Sequence, residues 1–370
     1  MTLFARSLRR DAARAAAALA AAALLAGCAS TGSASPSATA TGSTLATATL
    51  LEDPKSYEGP STAVLADAAI TAVVDDPTPQ LPVTVSSHDP SGDTEVTVGS
   101  AERVLGIDIA GSIAATIAGL GMLDRLVGRD QSTAFPGTED LPVVTGDGHA
   151  VNSESVIALR PDLVITDGTV GPTDVILQLR DAGIAVVYVD AEPSEQGAAD
   201  LATQVAAALG VPDAGAALAA DITSRTEAVV DQIAGIAPAE DADRLRMAFL
   251  YLRGAAGVYY LFGEGSGADV LIDDLGGIDV AAEIGWEGMK PMTDEALIAA
   301  DPDLILVMTT GLESVGGIDG LLAAKPAIAL TTAGENRRFV DMADGDILSF
   351  GPRLPEVLEA LAVAVYAPAG

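Results

Sequence analysis

The chain has 370 residues, with 19 lysines and arginines against 52 aspartates and glutamates, and its formal net charge is −33 at pH 7. So acidic a surface repels nucleic acid and anionic lipid headgroups, which excludes both as electrostatic partners, and it suits a partner with basic sockets. Aromatic residues are scarce at 4%, but 49% of the residues are hydrophobic, enough to form the core of one large or two medium domains.

The N-terminus has the pattern of a secretory signal over residues 1–27, in which a basic segment precedes the apolar run 15–25. That run is too short for a transmembrane helix, which needs ~20 residues. It ends at Leu25-Ala26-Gly27-Cys28, which resembles a bacterial lipobox, so we expect cleavage before Cys28 and a lipid on its sulfur. The alternative is a buried free thiol. Cys28 is the only cysteine, which excludes an intramolecular disulfide.

Residues 28–50 are rich in Ser, Thr, Ala and Gly and almost uncharged, which predicts a flexible tether. The segment 51–80 has weak patterning and is left unassigned. Runs at 81–85 and 94–98 predict a hairpin whose turn is 88–92. From residue 100 onward, strand-like and helix-like segments alternate, which is typical of a sheet covered by helices on both faces.

The predicted strands are 103–107, 125–127, 163–166, 185–189, 247–252, 258–261, 304–307 and 338–341. The predicted helices are 111–119, 153–159, 175–182, 195–209, 213–236, 268–275, 294–300, 321–323 and 355–367. The helix over 213–236 has no strand beside it. The chain therefore predicts an α/β fold of two α/β lobes, 81–211 and 238–370, joined by one long interdomain helix at 212–237.

An internal repeat supports this division. Residues 151–165 are echoed by residues 292–306, each with a polar helix cap, a Glu in the first helical turn, a Pro-Asp pair and an apolar strand. Glu154 and Glu295 occupy the same place in the two copies. Either they only favour the helix N-termini, by ~0.3–1 kcal/mol each, or they form a matched pair of exposed carboxylates, one on each lobe.

The run Met247–Gly254 is a predicted buried strand, and two residues near its end have polar side-chain groups, Tyr251 and Arg253. Side chains alternate along a strand, so these two are expected to point the same way. A neighbouring positive charge favours the ionised phenol, and a phenolate suits ferric iron, since Tyr is one of the axial ligands of haem. The alternative is that Tyr251 is a core residue and Arg253 a strand-end charge.

The chain has two histidines. His88 lies in the predicted hairpin turn and is expected to be solvated. His149 lies in a Gly-rich loop after a strand, which faces the ligand crevice in α/β folds, and imidazole is a common metal and haem ligand. With His149 from one lobe and Tyr251 from the other, a flat iron-bearing ligand would be held on both axial faces. Two histidines exclude a three-His metal cage.

Other motifs are weaker. The segment Gly263–Gly267 is interpreted as a tight turn, because Glu264 would repel phosphate. Lys290 could meet an anionic ligand group. Five side chains could supply the apolar wall of a pocket, although packing is the better explanation for any one of them: Tyr259, Tyr260, Trp286, Met289 and Met292.

From about residue 81 to residue 367, the chain resembles the substrate-binding lipoproteins of bacterial ABC importers whose lobes are joined by a single long helix, the class III periplasmic-binding-protein type. These carry iron-siderophores, cobalamin or haem. More narrowly, the chain is similar to the haemin-binding (HmuT-type) lipoproteins of actinobacteria. Three motifs carry the resemblance: Gly148-His149, Tyr251–Gly254 and the loop Gly128–Pro136.

The resemblance implies that His149 and Tyr251 coordinate haem iron from opposite lobes and that Arg253 hydrogen-bonds the Tyr251 oxygen. It also implies that Glu154 and Glu295 dock the lobes onto the permease. The expected cargo is ferric haem b, carried outside the cell by a non-enzymatic protein anchored to the cell membrane through Cys28. Its expected partners are the permease, its ATPase and an upstream surface haem-binding protein, and its lobes are expected to move only slightly.

Two alternatives stay open. A ferric-siderophore or cobalamin binder of the same importer family would share the fold, anchor and docking glutamates, but would have no use for an axial His–Tyr–Arg set. A haem enzyme is the other, since a Tyr–Arg pair is catalase-like. Two axial protein ligands would, however, leave no open iron position for peroxide.

Overall fold

The structure, a computed structural model, describes residues 42–254 and 259–368, with the backbone alone at residue 147. The predicted signal segment and Cys28 lie outside these residues. Among the helices in the described ranges, none combines the length and the apolar character needed to cross a membrane.

The strands in the described residues are β1 Ser61–Ala63, β2 Val83–Ser87, β3 Thr94–Val98, β4 Val104–Ile107, β5 Leu163–Thr166, β6 Ala185–Tyr188, β7 Arg246–Leu252, β8 Tyr259–Phe262, β9 Ile278–Asp279, β10 Met289–Pro291, β11 Leu304–Met308 and β12 Phe339–Met342. The helices are α1 Ser112–Gly119, α2 Ser153–Leu159, α3 Thr173–Asp181, α4 Glu195–Leu209, α5 Pro212–Ala234, α6 Ala268–Asp274, α7 Val280–Glu283, α8 Asp294–Ala300, α9 Thr309–Ser314, α10 Gly317–Ala324, α11 Thr332–Glu335, α12 Asp344–Ile347 and α13 Leu354–Tyr366.

The N-terminal lobe is built on the parallel sheet β4-β5-β6. Every residue of β4 and β5 is buried, as expected for parallel strands covered on both faces. Ile107 pairs with Thr166 and Thr166 with Tyr188, so the carboxyl ends of the three strands share one edge. The hairpin of β2 and β3 is a separate antiparallel pair.

The C-terminal lobe is built on a sheet with the strand order β1-β12-β11-β7-β8-β10, and β9 pairs with β7. The strands β1, β12, β11 and β7 run parallel, whereas β8 is antiparallel to both β7 and β10. The carboxyl ends of β7, β11 and β12 therefore meet at one edge, which is the edge at which α/β sheets bind ligands.

Residues 42–80 connect the two lobes along the surface, and we call them the strap. Within the strap, β1 adds an edge strand to the C-terminal sheet, and the Leu51 N–H donates to the Tyr366 carbonyl at 2.8 Å. The strap then passes to the N-terminal lobe, where the Val73 N–H donates to the Gly119 carbonyl at 2.9 Å. The stretch left unassigned in the sequence is thus an ordered part of both lobes.

One buried arginine fastens the strap to the C-terminal lobe. Arg338 is 1% exposed, its guanidinium lies 4.5 Å from the centre of the Tyr57 ring, and its Nη2 donates to the Val365 carbonyl at 2.6 Å. Burial lowers the pKa of Arg338 to about 10. A buried cation with these contacts fixes the strap against β12 and α13, because losing a contact would leave the charge unsatisfied.

The two lobes also share one apolar core. A single cluster of buried side chains contains Ile113 on α1, Leu218 on α5 and Phe249 on β7, and α13 packs along α5. The long helix α5 thus forms part of a continuous core and is not an exposed spacer.

The predicted fold class is confirmed, and the structure contains the long helix expected over 213–236 as α5. The predicted strand at 125–127 is wrong, because Leu123–Arg125 form a 3-10 helix and Leu126 makes only one isolated bridge to Val104. The predicted tether 28–50 is too long, since the side chain of Leu45 packs on the core and its N–H donates to Glu359 at 3.1 Å. Polar, unpatterned composition did not distinguish a tether from an ordered strap.

A pair of acidic side chains joins helices of the two lobes. Asp274 is the last residue of α6, and Glu195 is the first residue of α4. Burial, reinforced by Glu195 and Asp273, raises the pKa of Asp274 to about 8. The Asp274 Oδ2 is buried and accepts no hydrogen bond from the described residues. A proton on Asp274 would let it donate to the Glu195 carboxylate.

This pair makes stability depend on pH. An unfolded Asp has a pKa of about 3.9, so between about pH 4 and pH 8 the folded chain holds a proton that the unfolded chain releases. The free energy of unfolding is therefore lowered as pH rises through this range. We expect urea unfolding of Asp274→Asn, which cannot ionise, to lose less stability than the wild type between pH 5 and pH 8. The exposed-site control Asp231→Asn should follow the wild type, and parallel curves for Asp274→Asn and wild type would contradict the assignment.

Candidate functional site

Tyr251 lies on β7 in a row of aromatic side chains. It pairs in register with Tyr260 on β8, and Phe249 pairs with Phe262. Because directly paired residues and residues two apart share a face of the sheet, all four rings lie on one side. The Tyr251 ring is half-buried, with its centre 6.3 Å from that of Tyr260 and 6.2 Å from that of Phe262. Phe249 and Phe262 are buried, so the half-buried Tyr251 lies where this aromatic row leaves the core.

Arg253 follows β7 but is not part of it. The strand ends at Leu252, and Gly254 has a φ of +52°, in the left-handed region that suits glycine. The Gly254 N–H donates to the Ser314 Oγ at 2.9 Å, which fixes this turn, and Arg253 is exposed. The strand alternation used in the sequence argument therefore covers Tyr251 and ends one residue before Arg253.

His149 is presented by a tight loop between α2 and the preceding chain. The loop is closed by a bridge between Thr145 and Val151 and by the Gly146 N–H, which donates to the Ala150 carbonyl at 2.8 Å. His149 has a φ of +59°, a conformation that is uncommon outside glycine and that clusters at functional sites. The ring is half-buried, and its Nδ1 is buried with no hydrogen-bond partner among the described side chains, which do not include Asp147.

The loop Gly128–Pro136 supports the His149 loop through Gln131. The Gln131 N–H donates to the Thr145 Oγ1 at 3.0 Å, and its Nε2 donates to the Gly146 carbonyl at 3.0 Å. Beside these contacts, the Val144 N–H donates to the Arg129 carbonyl at 2.9 Å. The sequence marked this loop through its resemblance, but not the role of Gln131, because a side chain bonding to a distant backbone carbonyl leaves no pattern.

The same loop also touches the C-terminal lobe. The Arg353 guanidinium lies 5.6 Å from the centre of the Phe135 ring, and a Cβ at Gly345 would come within 2.7 Å of the Ser132 carbonyl oxygen. The loop Gly128–Pro136, which supports His149, is therefore packed against both lobes. The position of His149 thus depends on how the lobes are joined.

Two buried carboxylates, Asp108 and Asp130, and the half-buried Asp167 lie in this part of the N-terminal lobe, and the sequence reasoning missed them. Asp108 follows β4, Asp167 follows β5, and Asp130 belongs to the supporting loop. Burial raises the pKa of Asp108, with Asp130 and Asp167 adding to the effect. The sequence signal that could have revealed Asp108 and Asp167 is the position of an acidic residue directly after a buried strand.

Their contacts explain why these carboxylates are present. The Asp108 carboxylate accepts from the Ser112 and Ile113 N–H groups at 2.9 and 3.0 Å and so begins α1. The Asp130 carboxylate accepts from the Asp108 and Thr133 N–H groups at 3.0 and 2.7 Å. In the described part of the chain no three His, Cys, Asp or Glu side chains are grouped to hold a metal ion. The carboxylates instead fix the backbone below the His149 loop.

Large apolar side chains are exposed beside both parts of the site. Ile109 follows β4, with its carbonyl accepting from the Ser132 Oγ at 2.5 Å, and Val143 adjoins the Arg129 contacts. Met289 pairs with Phe262 at the end of the aromatic row. These side chains place apolar surface beside the supporting loop and at the end of the aromatic row.

Several other candidate residues have structural roles. The Tyr259 hydroxyl donates to Asp294 at 2.9 Å, the Trp286 Nε1 donates to the Leu261 carbonyl at 3.1 Å, and Met292 is buried. The interpretation of Gly263–Gly267 as a tight turn is confirmed, because the Gly265 and Gly267 N–H groups donate to the Asp269 carboxylate at 2.8 and 3.0 Å.

His88 is not simply solvated. It is half-buried, and its Nδ1 lies 3.1 Å from Asp93 and 3.7 Å from Asp190. Glu154, Glu295 and Lys290 are exposed, the first two in the opening turns of α2 and α8.

The sequence model of the periplasmic binding protein family matches residues 109–344. The chain belongs to the periplasmic binding protein family. The structure of heme binding protein HmuT is 38% identical and superposes with a TM-score of 0.79, covering 85% of this chain and 99% of HmuT. Structures of HmuT variants with an arginine, a histidine or a tyrosine replaced by alanine match equally well.

More distant members of the periplasmic binding protein family also match. Periplasmic heme-binding protein RhuT from Roseiflexus sp. RS-1 is 36% identical with a TM-score of 0.65, covering 72% of this chain and 98% of RhuT. A cobalamin-binding protein of Halobacterium salinarum is 28% identical over 286 residues, which are 75% of this chain and 73% of that protein. The family and fold expected from the sequence are confirmed, and the roles of the individual site residues stay predictions.

The contact between Gln131 and the His149 loop predicts a local effect on dynamics. Gln131→Ala removes one hydrogen bond to the Gly146 carbonyl, worth about 1 kcal/mol, so amide hydrogen exchange across residues 145–151 should become about fivefold faster. The matched control is Gln204→Ala, which removes the Nε2 donation to the Asp190 carbonyl at 3.1 Å. Equal exchange in the 145–151 loop of wild type and Gln131→Ala would show that Gln131 does not hold it.

Proposed function

We propose that this chain is the haem-binding component of an ABC importer, capturing ferric haem between its lobes and delivering it to the permease. The observation that carries the proposal is the match to heme binding protein HmuT over 99% of that chain. The geometry of this chain supports it, since His149 lies on the N-terminal lobe and Tyr251 on the C-terminal sheet. Periplasmic binding proteins are transport components, and we assign no catalytic residue.

The residues fit ferric haem as cargo. The Tyr251 phenolate would be one axial ligand and a His149 nitrogen the other. The His149 Nδ1 is buried and has no partner among the described side chains, which leaves Nε2 as the nitrogen that can approach iron. In this proposal the guanidinium of Arg253, two residues after Tyr251, donates a hydrogen bond to the Tyr251 oxygen.

The apolar faces of the porphyrin require apolar contacts. The half-buried rings of Tyr251 and Tyr260 with the exposed Met289 supply them on one side, and Ile109 and Val143 supply them on the other. Removing this surface from water would contribute about 25 cal/mol per Å². The shared core and α5 would limit the lobes to small movements around the cargo.

A titration of the chain beginning at Ala29 with ferric haemin, followed by visible absorption, tests the proposal. We expect saturable one-to-one binding, weakened at least tenfold by Tyr251→Phe, which removes only the iron-binding oxygen. His149→Ala should change the absorption spectrum because one axial ligand is lost. The controls are Tyr260→Phe, the paired ring on the same face, and His88→Ala, and both should bind as wild type does. Absence of saturable binding to the wild type would refute haem as cargo.

Cobalamin is the second candidate, because a cobalamin-binding protein is among the relatives. Its corrin ring also has two axial faces. We expect a tenfold excess of cyanocobalamin to leave the haemin titration unchanged. Displacement of haemin, or saturable cobalamin binding that Tyr251→Phe does not weaken, would favour cobalamin.

We further propose that a lipid at Cys28 holds the protein to the outer side of the cell membrane, with residues 29–41 as the tether. A single acyl chain binds membranes only marginally, so stable anchoring takes more than one. The full chain expressed in bacteria should partition into the detergent phase, and Cys28→Ser should move it to the aqueous phase. Recovery of the wild-type protein with residues 1–27 still attached, or in the aqueous phase, would contradict lipid anchoring. An upstream surface haem-binding protein is the proposed donor.

A further inference from the structure

The two lobes carry the same surface unit, formed by the internal repeat. In the N-terminal lobe the unit is α2, whose Asn152 side chain accepts from the Ser155 N–H at 2.9 Å. In the C-terminal lobe it is α8, whose Thr293 side chain accepts from the Ala296 N–H at 3.3 Å. Both helices have seven residues.

Both helices also end in the same way. Arg160 and Asp301, the residues after the last turns, have φ values of 49° and 41° in the left-handed region, and a Pro-Asp pair and a buried strand follow each. The similarity extends beyond the sequence repeat into conformation.

Matching arginines hold the carboxyl ends of both helices. Arg103, just before β4, donates to the Leu159 carbonyl at 2.7 Å, and Arg246, the first residue of β7, donates to the Asp301 carbonyl at 3.0 Å. In return, the backbone N–H of each arginine donates to the Asp of the neighbouring Pro-Asp pair, at 3.1 and 2.9 Å. The carboxyl ends of the two helices are therefore fixed to their sheets by equivalent contacts.

The outward face of each helix combines an acidic and a large apolar side chain. Glu154 and Glu295 are exposed, and one turn later Ile157 and Ile298 are 41% and 38% exposed. Residues three apart on a helix are neighbours on its surface. In the ion pairs among the described residues, neither glutamate takes part. A role at the helix N-terminus would explain the glutamates, but it gives no reason for an exposed isoleucine at the same place in both copies.

We propose that Ile157 and Ile298 form the apolar half of a two-point contact with the permease, each covering the ion pair made by the adjacent glutamate. The inference rests on the proposed function, which supplies the partner. An exposed ion pair is worth at most about 1 kcal/mol, whereas one from which water is excluded by surrounding contacts is worth more. A duplicated Glu-Ile unit fits a partner that presents one basic socket twice, as a two-fold symmetric dimer does.

The charge of the two partners is complementary under this proposal. The chain carries a formal net charge of −33, so its long-range attraction is toward a basic surface. That field speeds encounter without choosing an orientation, because acidic residues are spread over the whole chain. The isoleucines add short-range contacts at two defined points and so select the docked orientation.

The test uses the full-length lipoprotein and the permease–ATPase complex in nanodiscs, with affinity and stimulated ATP hydrolysis as readouts. Ile157→Ser and Ile298→Ser should each weaken the affinity for the transporter about tenfold, and the double variant about a hundredfold if the sites are independent. Haemin titration and thermal unfolding should match the wild type, since both side chains are exposed. Leu50→Ser, at a site 43% exposed on the strap, is the matched control and should dock as wild type does.

Glu154→Gln and Glu295→Gln identify the docking surface independently. If they weaken docking but the double isoleucine variant does not, the apolar half of the contact is refuted and the proposed function stands. If neither pair matters, the docking surface lies elsewhere and the inference is refuted. Absence of haemin binding by the wild type would instead refute the cargo, and it is measured without the transporter.

Discussion

The apolar core shared by the two lobes is the constraint on which the rest of the structure depends. His149 is carried by the N-terminal lobe and Tyr251 by the sheet of the C-terminal lobe, so no local element fixes the distance between them. That distance is set by the packing of Ile113, Leu218 and Phe249 in one cluster around α5, and by the strap that pairs with β12 and then reaches α1. Since close-packed cores transmit displacement and resist compression, a shared core fixes how the two lobes, and the residues they carry, are placed relative to each other.

The same constraint explains the support of His149. A left-handed histidine costs of order 1–3 kcal/mol, which persists only where the surroundings hold it. Here the surroundings are the Gln131 contacts, and below them the carboxylates of Asp108 and Asp130 that anchor α1 and the supporting loop. Phe135 and Ser132 connect that loop to the C-terminal lobe. A ligand bound to His149 would therefore act on a loop that contacts both lobes.

Much of the fold could be predicted because its main strands and helices are long or strongly apolar. β5, α4 and α8 occupy the predicted residues, since their patterns are set by local sequence and burial. β1 could not be predicted, because Ser61–Ala63 is a short polar edge strand that exists only through its pairing with β12, far along the chain. The prediction of a strand at 125–127 was wrong for a related reason, because a run of three residues is too short to distinguish a strand from a 3-10 turn.

The candidate residues could be selected from the sequence, whereas the contacts that hold them could not. His149 and Tyr251 are visible because the chain has only two histidines and six tyrosines, and Glu154 and Glu295 are visible because the internal repeat places them equivalently. Gln131 and the buried aspartates act through backbone groups distant in sequence, so composition does not reveal them. The end of β7 at Leu252 is similarly set by the Gly254 turn and Ser314, so alternation alone does not orient Arg253.

Electrostatics separates capture of the proposed cargo from its delivery. Ferric haem carries two propionates, and a chain of net charge −33 does not attract such a ligand at long range. Capture must then depend on short-range terms, namely iron coordination and the apolar surfaces around Tyr251 and Ile109, which act only once the ligand is between the lobes. Delivery differs, because the acidic surface attracts a basic partner at long range, and it does so whether or not cargo is bound. Under the proposed function, recognition of the cargo therefore depends on contacts between the lobes, and recognition of the transporter depends on the acidic surface.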